Sequence, residues 1–199
     1  MALSRQDHGG LQSGALIIAE RKAMPLSLLS RLLGKRPDDR EALRPVWQRV
    51  VDIARAPGWY ASLGVADSKE GRFDMVTLVL ALALMRMERE QALAESTARL
   101  TELFIADMDG QLRESGIGDP TVGKHVRKLI TTLGGRLGAL REAMPQGNAA
   151  LIPVVERNVT TTAGSDQAAL ADAVLALHQT IDQLPTDALL SGNFAFAPQ

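Results

Sequence analysis

An all-α fold is the class that the sequence predicts, and three observations indicate it. Apolar residues recur at helical spacing along most of the chain. Proline, glycine and capping residues interrupt this pattern at intervals that suit helix ends. No stretch gives a convincing strand pattern. With 199 residues, of which 46% are hydrophobic, one compact domain of six or seven helices can bury its own core.

The composition argues against several classes of function. The chain has no cysteine, which excludes a disulfide scaffold, a thiolate metal site and a cysteine nucleophile. Its three histidines, His8, His125 and His178, are far apart and lack ligand spacing, so we expect no metal and no cofactor. A net charge of −1 and 4% aromatic residues do not favour nucleic-acid binding.

The first 36 residues differ from the rest of the chain. Residues 1–23 are polar and glycine-bearing, and we interpret them as an upstream extension or a cloning remnant that is disordered. Residues 24–36 interleave leucines with Arg31, Lys35 and Arg36, which is typical of a short basic amphipathic helix. Such a helix lies on a membrane surface or packs on its own domain, and the sequence leaves both open. The helical domain is placed at residues 37–199.

Phe73 to Met87 is the most apolar segment and is predicted to be the central core helix. Alanine, leucine and methionine dominate it and leave no polar face, while about 15 residues fall short of a membrane span. A helix before it ends at Pro57-Gly58. Trp59 and Tyr60 follow that corner, and we expect them to plug the core with their polar edges hydrogen-bonded.

Residues 91–114 form the next predicted helix, and two aspartates take different positions on it. At 100° per residue, Asp107 falls on the apolar stripe, whereas Asp109 points nearly away and can pair with Arg113. A carboxylate on an apolar face needs a cation or several donors. Asp107 is therefore expected to be buried, with Arg72 or Arg136 as its partner.

A glycine turn is predicted to join this helix to the next. Gly116 can adopt the left-handed conformation that ends a helix, and Gly118 completes the turn. Asp119 is then the N-cap of the following helix, with Pro120 at its first position.

The helix after the turn contains three glycines near its end, Gly134, Gly135 and Gly138. Each weakens a helix by about 1 kcal/mol relative to alanine, so we expect a close backbone approach or a kink there. Beyond it, the pattern predicts a short helix at 149–158 and a final helix at 168–184. The last residues should be extended, with Phe194 and Phe196 docked.

The stretch from Phe104 to Leu112 also contains the Asp-x-Asp-Gly pattern of haloacid-dehalogenase-type phosphatases. In that reading Asp107 and Asp109 are catalytic. The motif requires a buried strand before the first aspartate, but the residues before Asp107 are strong helix formers. Gln111 stands where a hydroxyl residue is expected. We therefore favour a helical hairpin that forms an interaction surface over a phosphotransfer site.

Two blocks resemble the ubiquinol–cytochrome c chaperone family, which consists of assembly factors for ubiquinol–cytochrome c reductase. One block runs from Ala54 to Leu78, and the other from Asp107 to Leu129 and on to Gly135-Arg136. The resemblance spans about Trp47 to Met144. The chain departs from it at Val79 and Gly134, where a histidine and an aromatic residue are expected.

The resemblance implies an all-helical, non-catalytic chaperone for newly made cytochrome b. The expected location is the cytoplasmic side of a bacterial inner membrane, or the mitochondrial inner membrane or matrix in a eukaryote. A generic helical adaptor remains the alternative. Positions that match the family pattern either hold the fold or contact the client, and they are Arg72, Phe73, Asp107, Asp109, Arg113, Glu114, Asp119, Lys124 and Arg136.

Overall fold

The computed structural model describes residues 38–114 and 122–198, and their side chains over 40–111 and 123–198. Nine α-helices occur in these ranges. They are α1 Asp38–Glu41, α2 Arg44–Ala54, α3 Pro57–Ala61, α4 Lys69–Glu88, α5 Ala94–Glu114, α6 Val122–Ala143, α7 Asn148–Asn158, α8 Gln167–Asp182 and α9 Thr186–Leu190. Short 3₁₀ turns cover Gln91–Leu93 and Met144–Gln146.

The predicted all-α fold is confirmed, and six of these helices are at least eleven residues long. The described ranges contain no strand, only an isolated antiparallel bridge between Val65 and Thr161. These helices pack as one compact unit around a continuous apolar core.

The core is built around α4, as the sequence predicts. Fourteen of its 20 residues are buried, because it packs against α2, α5, α6 and α8 on different sides. Ser68 caps its first turn by accepting a hydrogen bond from the Gly71 amide at 3.1 Å. A side chain at Gly71 would begin 2.1 Å from the Ala66 carbonyl oxygen, so only glycine lets this turn lie so close to the preceding loop.

The predicted corner at Trp59 and Tyr60 is confirmed as part of the short helix α3. Trp59 is fully buried, and its indole Nε1 donates to the Ile53 carbonyl at 2.8 Å. Tyr60 donates its hydroxyl to the Ala54 carbonyl at 2.7 Å. Phe196 stacks on Trp59 with a centroid separation of 5.9 Å, and Phe194 is also buried. The tail therefore docks as predicted.

The close backbone approach expected at the three glycines of α6 does not occur among the described residues. The helix runs without interruption from Val122 to Ala143. Apart from the helix's own backbone, no heavy atom of the described residues lies within 4 Å of where a side chain would begin at Gly134, Gly135 or Gly138. Packing inside the described domain therefore does not require glycine at these three positions.

Several sequence predictions fall outside the described residues. They are the extension at 1–23, the basic amphipathic segment at 24–36, and the turn with Gly116, Gly118 and the Asp119 cap.

Candidate functional site

A buried polar network joins the two blocks that carry the family pattern. Arg136 on α6 is 6% exposed, and its Nη1 donates to the main-chain oxygen of Asp74 at 3.0 Å and to the Thr77 hydroxyl. Its Nη2 forms an ion pair with the Asp74 carboxylate. The other carboxylate oxygen of Asp74 accepts from the Thr160 amide at 2.9 Å and the Thr160 hydroxyl at 2.7 Å. The network therefore fastens α4 to α6 and to the loop after α7.

Asp74 was missed by sequence reasoning, although a signal was present. It is the single carboxylate in the largely apolar segment from Phe73 to Met87, and such a group requires a buried cation or several donors. Arg136 and Thr160 supply both. The predicted pairing of Arg136 with Asp107 is wrong, because the Arg136 guanidinium forms its ion pair with Asp74.

Phe73 lies beside this network and links it to α5. Its ring faces the Arg136 guanidinium at 5.8 Å and lies 6.4 Å from the Phe104 ring. Phe104 is fully buried and meets Trp47 edge to face at 6.1 Å. Phe73 and Arg136 therefore connect α4, α5 and α6 through packing contacts.

Arg72 precedes Phe73 but points to a different environment. Its Nε donates to the Asp67 carboxylate at 2.6 Å, and both side chains are 56% exposed. This hydrogen bond holds the pKa of Asp67 below its usual value. The guanidinium also lies 5.8 Å from the Tyr60 ring centroid. Arg72 thus forms a surface pair, not a partner for Asp107.

The burial predicted for Asp107 is wrong. Asp107 is exposed, and it accepts a hydrogen bond from Gln111 Nε2 at 3.1 Å. The apolar stripe of α5 does continue to this position, but the core ends one turn earlier, at Phe104. No side chain described from residue 105 to 111 is buried. Helical periodicity identifies a face but does not show how far along the helix that face is covered.

The end of α5 and the start of α6 share this open character. Asp109 is half-buried and Lys124 is exposed, and among the described side chains of α6 the first buried one is Leu129. Ile105 and Met108 remain half-buried against the edge of the core. The side chains of Arg113 and Glu114 lie outside the described part, as does Asp119. The result is a surface of mixed charge and apolar area.

A concave region lies where α4, α6 and α8 end together. A groove of about 410 Å³ is lined by the apolar side chains of Met85, Met144 and Pro145. Ion pairs Arg141–Glu88 and Arg89–Asp182 border it. His178 on α8 also lines the groove.

The described residues contain no group of histidine or acidic side chains placed to hold a metal ion. None of the described helices is both long enough and apolar enough to cross a membrane.

A solved structure has a similar fold. The crystal structure of the Cbp3 homolog from Brucella abortus is similar to this chain, with a TM-score of 0.67 and 29% sequence identity. The match covers 86% of this chain and 95% of the Brucella chain. No curated protein gives a significant match.

The sequence itself matches the ubiquinol–cytochrome C chaperone family over residues 61–196, and the chain belongs to this family. The match corrects the extent of the resemblance seen in the two blocks. It begins after Trp47 and continues well beyond Met144, so α7, α8 and α9 are also part of the family domain. The chain is therefore a chaperone-family protein for ubiquinol–cytochrome c reductase assembly.

Proposed function

We propose that this protein is an assembly chaperone that binds newly made cytochrome b and has no catalytic activity of its own. The observation that carries the proposal is the family match, which covers residues 61–196 and includes both ends of the polar network at Asp74 and Arg136. The similarity to the Cbp3 homolog supports the same assignment. No cofactor is required for such binding.

The client surface is proposed to lie at the ends of α5 and α6. Asp107 and Lys124 are exposed there, and Asp109, Ile105 and Met108 are half-buried. A client rich in transmembrane helices exposes apolar area before assembly. A surface that combines apolar contact with charges that fix the register suits it. Arg113, Glu114 and Asp119 adjoin these positions in sequence and are included in the proposed surface.

Other members of the pattern are assigned a different role. Arg136 is buried and Phe73 is half-buried against the core, and we assign both to holding the helices together. Arg72 and Asp67 form an exposed pair at the start of α4. We assign Arg72 to the surface that surrounds the client site.

The phosphatase alternative is disfavoured by the location of its two aspartates. Asp107 and Asp109 lie inside α5, which begins at Ala94. The phosphatase motif instead places the first aspartate at the carboxyl end of a buried parallel strand. A generic helical adaptor remains the competing function, and it differs from a dedicated chaperone in what its loss does to the cell.

The proposed location is the cytoplasmic face of a bacterial inner membrane, or the mitochondrial inner membrane or matrix if the source is eukaryotic. Contact with the bilayer is proposed to run through residues 24–36, which lie outside the described residues.

Deletion of the protein tests the proposal. We expect selective loss of the cytochrome b absorbance spectrum and of ubiquinol–cytochrome c reductase activity, with other membrane complexes intact. During synthesis, cytochrome b should crosslink to photoreactive side chains at Asp107 and Lys124 but not at Arg55, an exposed matched control on the α2–α3 corner. Wild-type spectra after deletion, together with no crosslink to cytochrome b, would leave a generic adaptor as the better assignment.

A further inference from the structure

The first half of α6 presents an unusual cluster of cations. Lys124, Arg127 and Lys128 are all exposed, and their spacing of three and four residues puts them on one side of the helix. No ion pair involving any of the three occurs among the described residues, and the sequence has no acidic residue between Pro120 and Arg141. The cluster therefore carries a local positive charge on a chain whose net charge is −1.

The arginines elsewhere in the described domain behave differently. Eight of them form ion pairs with a carboxylate, and these are Arg40, Arg44, Arg72, Arg86, Arg89, Arg99, Arg136 and Arg141. Among the described residues, most arginines pair with a carboxylate whereas these three neighbouring cations do not, and such a surface is suited to an anionic group from outside.

The same solvent face changes character further along the helix. Gly134 and Gly135 are exposed, Gly138 is half-buried, and Thr131 is the largest side chain of this strip. Such a strip lets a second helix approach with its backbone close to that of α6. The distance from the cations to the centre of the strip is about ten residues, or about 15 Å at 1.5 Å per residue.

These two features select among possible ligands. A bilayer surface is contacted through large apolar side chains beside the cations, and glycine offers none. Single-stranded RNA needs aromatic side chains for stacking, and α6 has none. The undescribed residues 1–37 carry six lysines and arginines against two acidic residues, so their charge repels the cluster.

We propose that the solvent face of α6 is a docking surface for one helix of a protein partner. The contacting face of that helix packs across Gly134, Gly135 and Gly138, and its carboxylates or its C-terminal end pair with Lys124, Arg127 and Lys128. An antiparallel arrangement brings the negative end of the partner's helix dipole to the cations. The proposal deepens the proposed function and rests on it in one respect, since the helix is taken to belong to the client.

Binding of synthetic peptides to the full-length protein tests the surface directly. The probe is a fluorescent 21-residue alanine- and leucine-based helix with three glutamates in its last turn, and its control carries three lysines there. We expect the glutamate peptide to bind more tightly than the lysine peptide. Binding of the glutamate peptide should weaken as salt is added. Reversing two charges with Lys124→Glu and Lys128→Glu should weaken it about tenfold. The matched control, Arg55→Glu with Lys69→Glu, reverses two exposed charges elsewhere and should leave binding unchanged.

The glycine strip is tested by a second variant, Gly134→Leu with Gly138→Leu. Leucine is a better helix former than glycine, and the described residues leave open space there, so the thermal midpoint should stay the same or rise. Binding of the glutamate peptide should nevertheless fall at least tenfold, because the partner backbone can no longer approach. This combination separates a lost binding surface from a misfolded protein.

Three outcomes overturn the proposal. The first is equal affinity for the glutamate and lysine peptides. The second is unchanged affinity in either the charge-reversed or the leucine variant. The third is that Lys124→Glu with Lys128→Glu lowers co-sedimentation with phosphatidylcholine–phosphatidylglycerol vesicles, or binding of poly(U) RNA, but not peptide binding. If peptide binding behaves as expected while deletion leaves cytochrome b normal, the docking surface stands and the client assignment fails.

Discussion

At the level of single residues, two aspartates on neighbouring helices have opposite energetic roles. Asp74 is 9% exposed and receives hydrogen bonds from Arg136 and Thr160. Asp107 lies in solvent, where the neutral side chain of Gln111 donates a hydrogen bond to it. A carboxylate that neutralises a buried guanidinium contributes far more to stability than one on the surface.

Asp74→Ala should therefore lower the free energy of unfolding by about 3 kcal/mol, because it leaves Arg136 buried without its counter-charge. Asp107→Ala is the matched control on α5, and it should change the free energy by less than about 0.5 kcal/mol. Urea unfolding followed by circular dichroism measures both. Equal losses for the two variants would show that Asp74 is not the partner that matters for Arg136.

The sequence shows that a carboxylate and a cation must meet in the core, but not which carboxylate. Periodicity places both Asp74 and Asp107 on helix faces that look apolar. The difference arises because α5 extends past the core after Phe104, whereas α4 is covered from several sides. That coverage depends on how the helices assemble, which no local pattern encodes.

At the level of elements, the groove where α4, α6 and α8 end is expected to make stability depend on pH. Burial lowers the pKa of His178, the Arg89 charge lowers it further, and Asp182 acts in the opposite direction. Its Nδ1 is buried without a hydrogen-bond partner in the described part of the chain. Glu88 and Arg141, paired with each other, are the other charges lining the groove.

Because the folded state resists protonation of His178, the unfolded chain takes up this proton first as the pH falls. Stability should therefore decline as the pH drops below the ordinary histidine pKa of about 6.5, until the folded His178 also titrates. Asp182, whose pKa is lowered mainly by its hydrogen bond from Arg89, acts in a more acidic range. Its contribution is present above its unfolded pKa and is lost below it.

Urea unfolding at pH 7.5 and 5.5 checks the histidine effect. His178→Gln should reduce the difference in stability between the two pH values, whereas His125→Gln, on α6, serves as the control for losing a histidine. If the His178→Gln protein shows the same difference as the wild type, this buried imidazole is not responsible for any decline.

The helices themselves could be predicted more fully than their surroundings. The core helix at Phe73 to Met87, the corner at Trp59 and the docked Phe196 follow from composition and stop signals, and all three are confirmed. The glycines of α6 could not be interpreted correctly from sequence alone. Three glycines in a helix indicate a close backbone approach or a kink, and only the packing shows that, apart from the helix's own backbone, no described atom approaches them within 4 Å.

At the level of the whole molecule, residues 36–199 form one compact unit through their own contacts. Within it, the described residues bury a continuous core that reaches from α2 to the tail at Phe194. The family match at 61–196 falls entirely inside this unit. The compact unit therefore contains the whole of the family domain.

A chain that starts at Pro37 should therefore fold with a urea midpoint close to that of the full-length protein. It should also bind liposomes more weakly, with the largest loss on anionic lipid, because residues 24–36 supply leucines and three cations to the proposed membrane contact. Added salt should weaken binding of the full-length protein for the same reason. Liposome co-sedimentation and urea unfolding measure the two properties on the same samples.

The full-length protein with Arg31→Gln, Lys35→Gln and Arg36→Gln keeps the leucines and removes only the charges. It should lose the preference for anionic lipid while keeping part of its binding to neutral vesicles. The competing interpretation, in which residues 24–36 pack on the domain, gives the opposite pattern. Truncation would then lower the urea midpoint and leave liposome binding unchanged, since the removed leucines would have stabilised the fold and not the membrane contact.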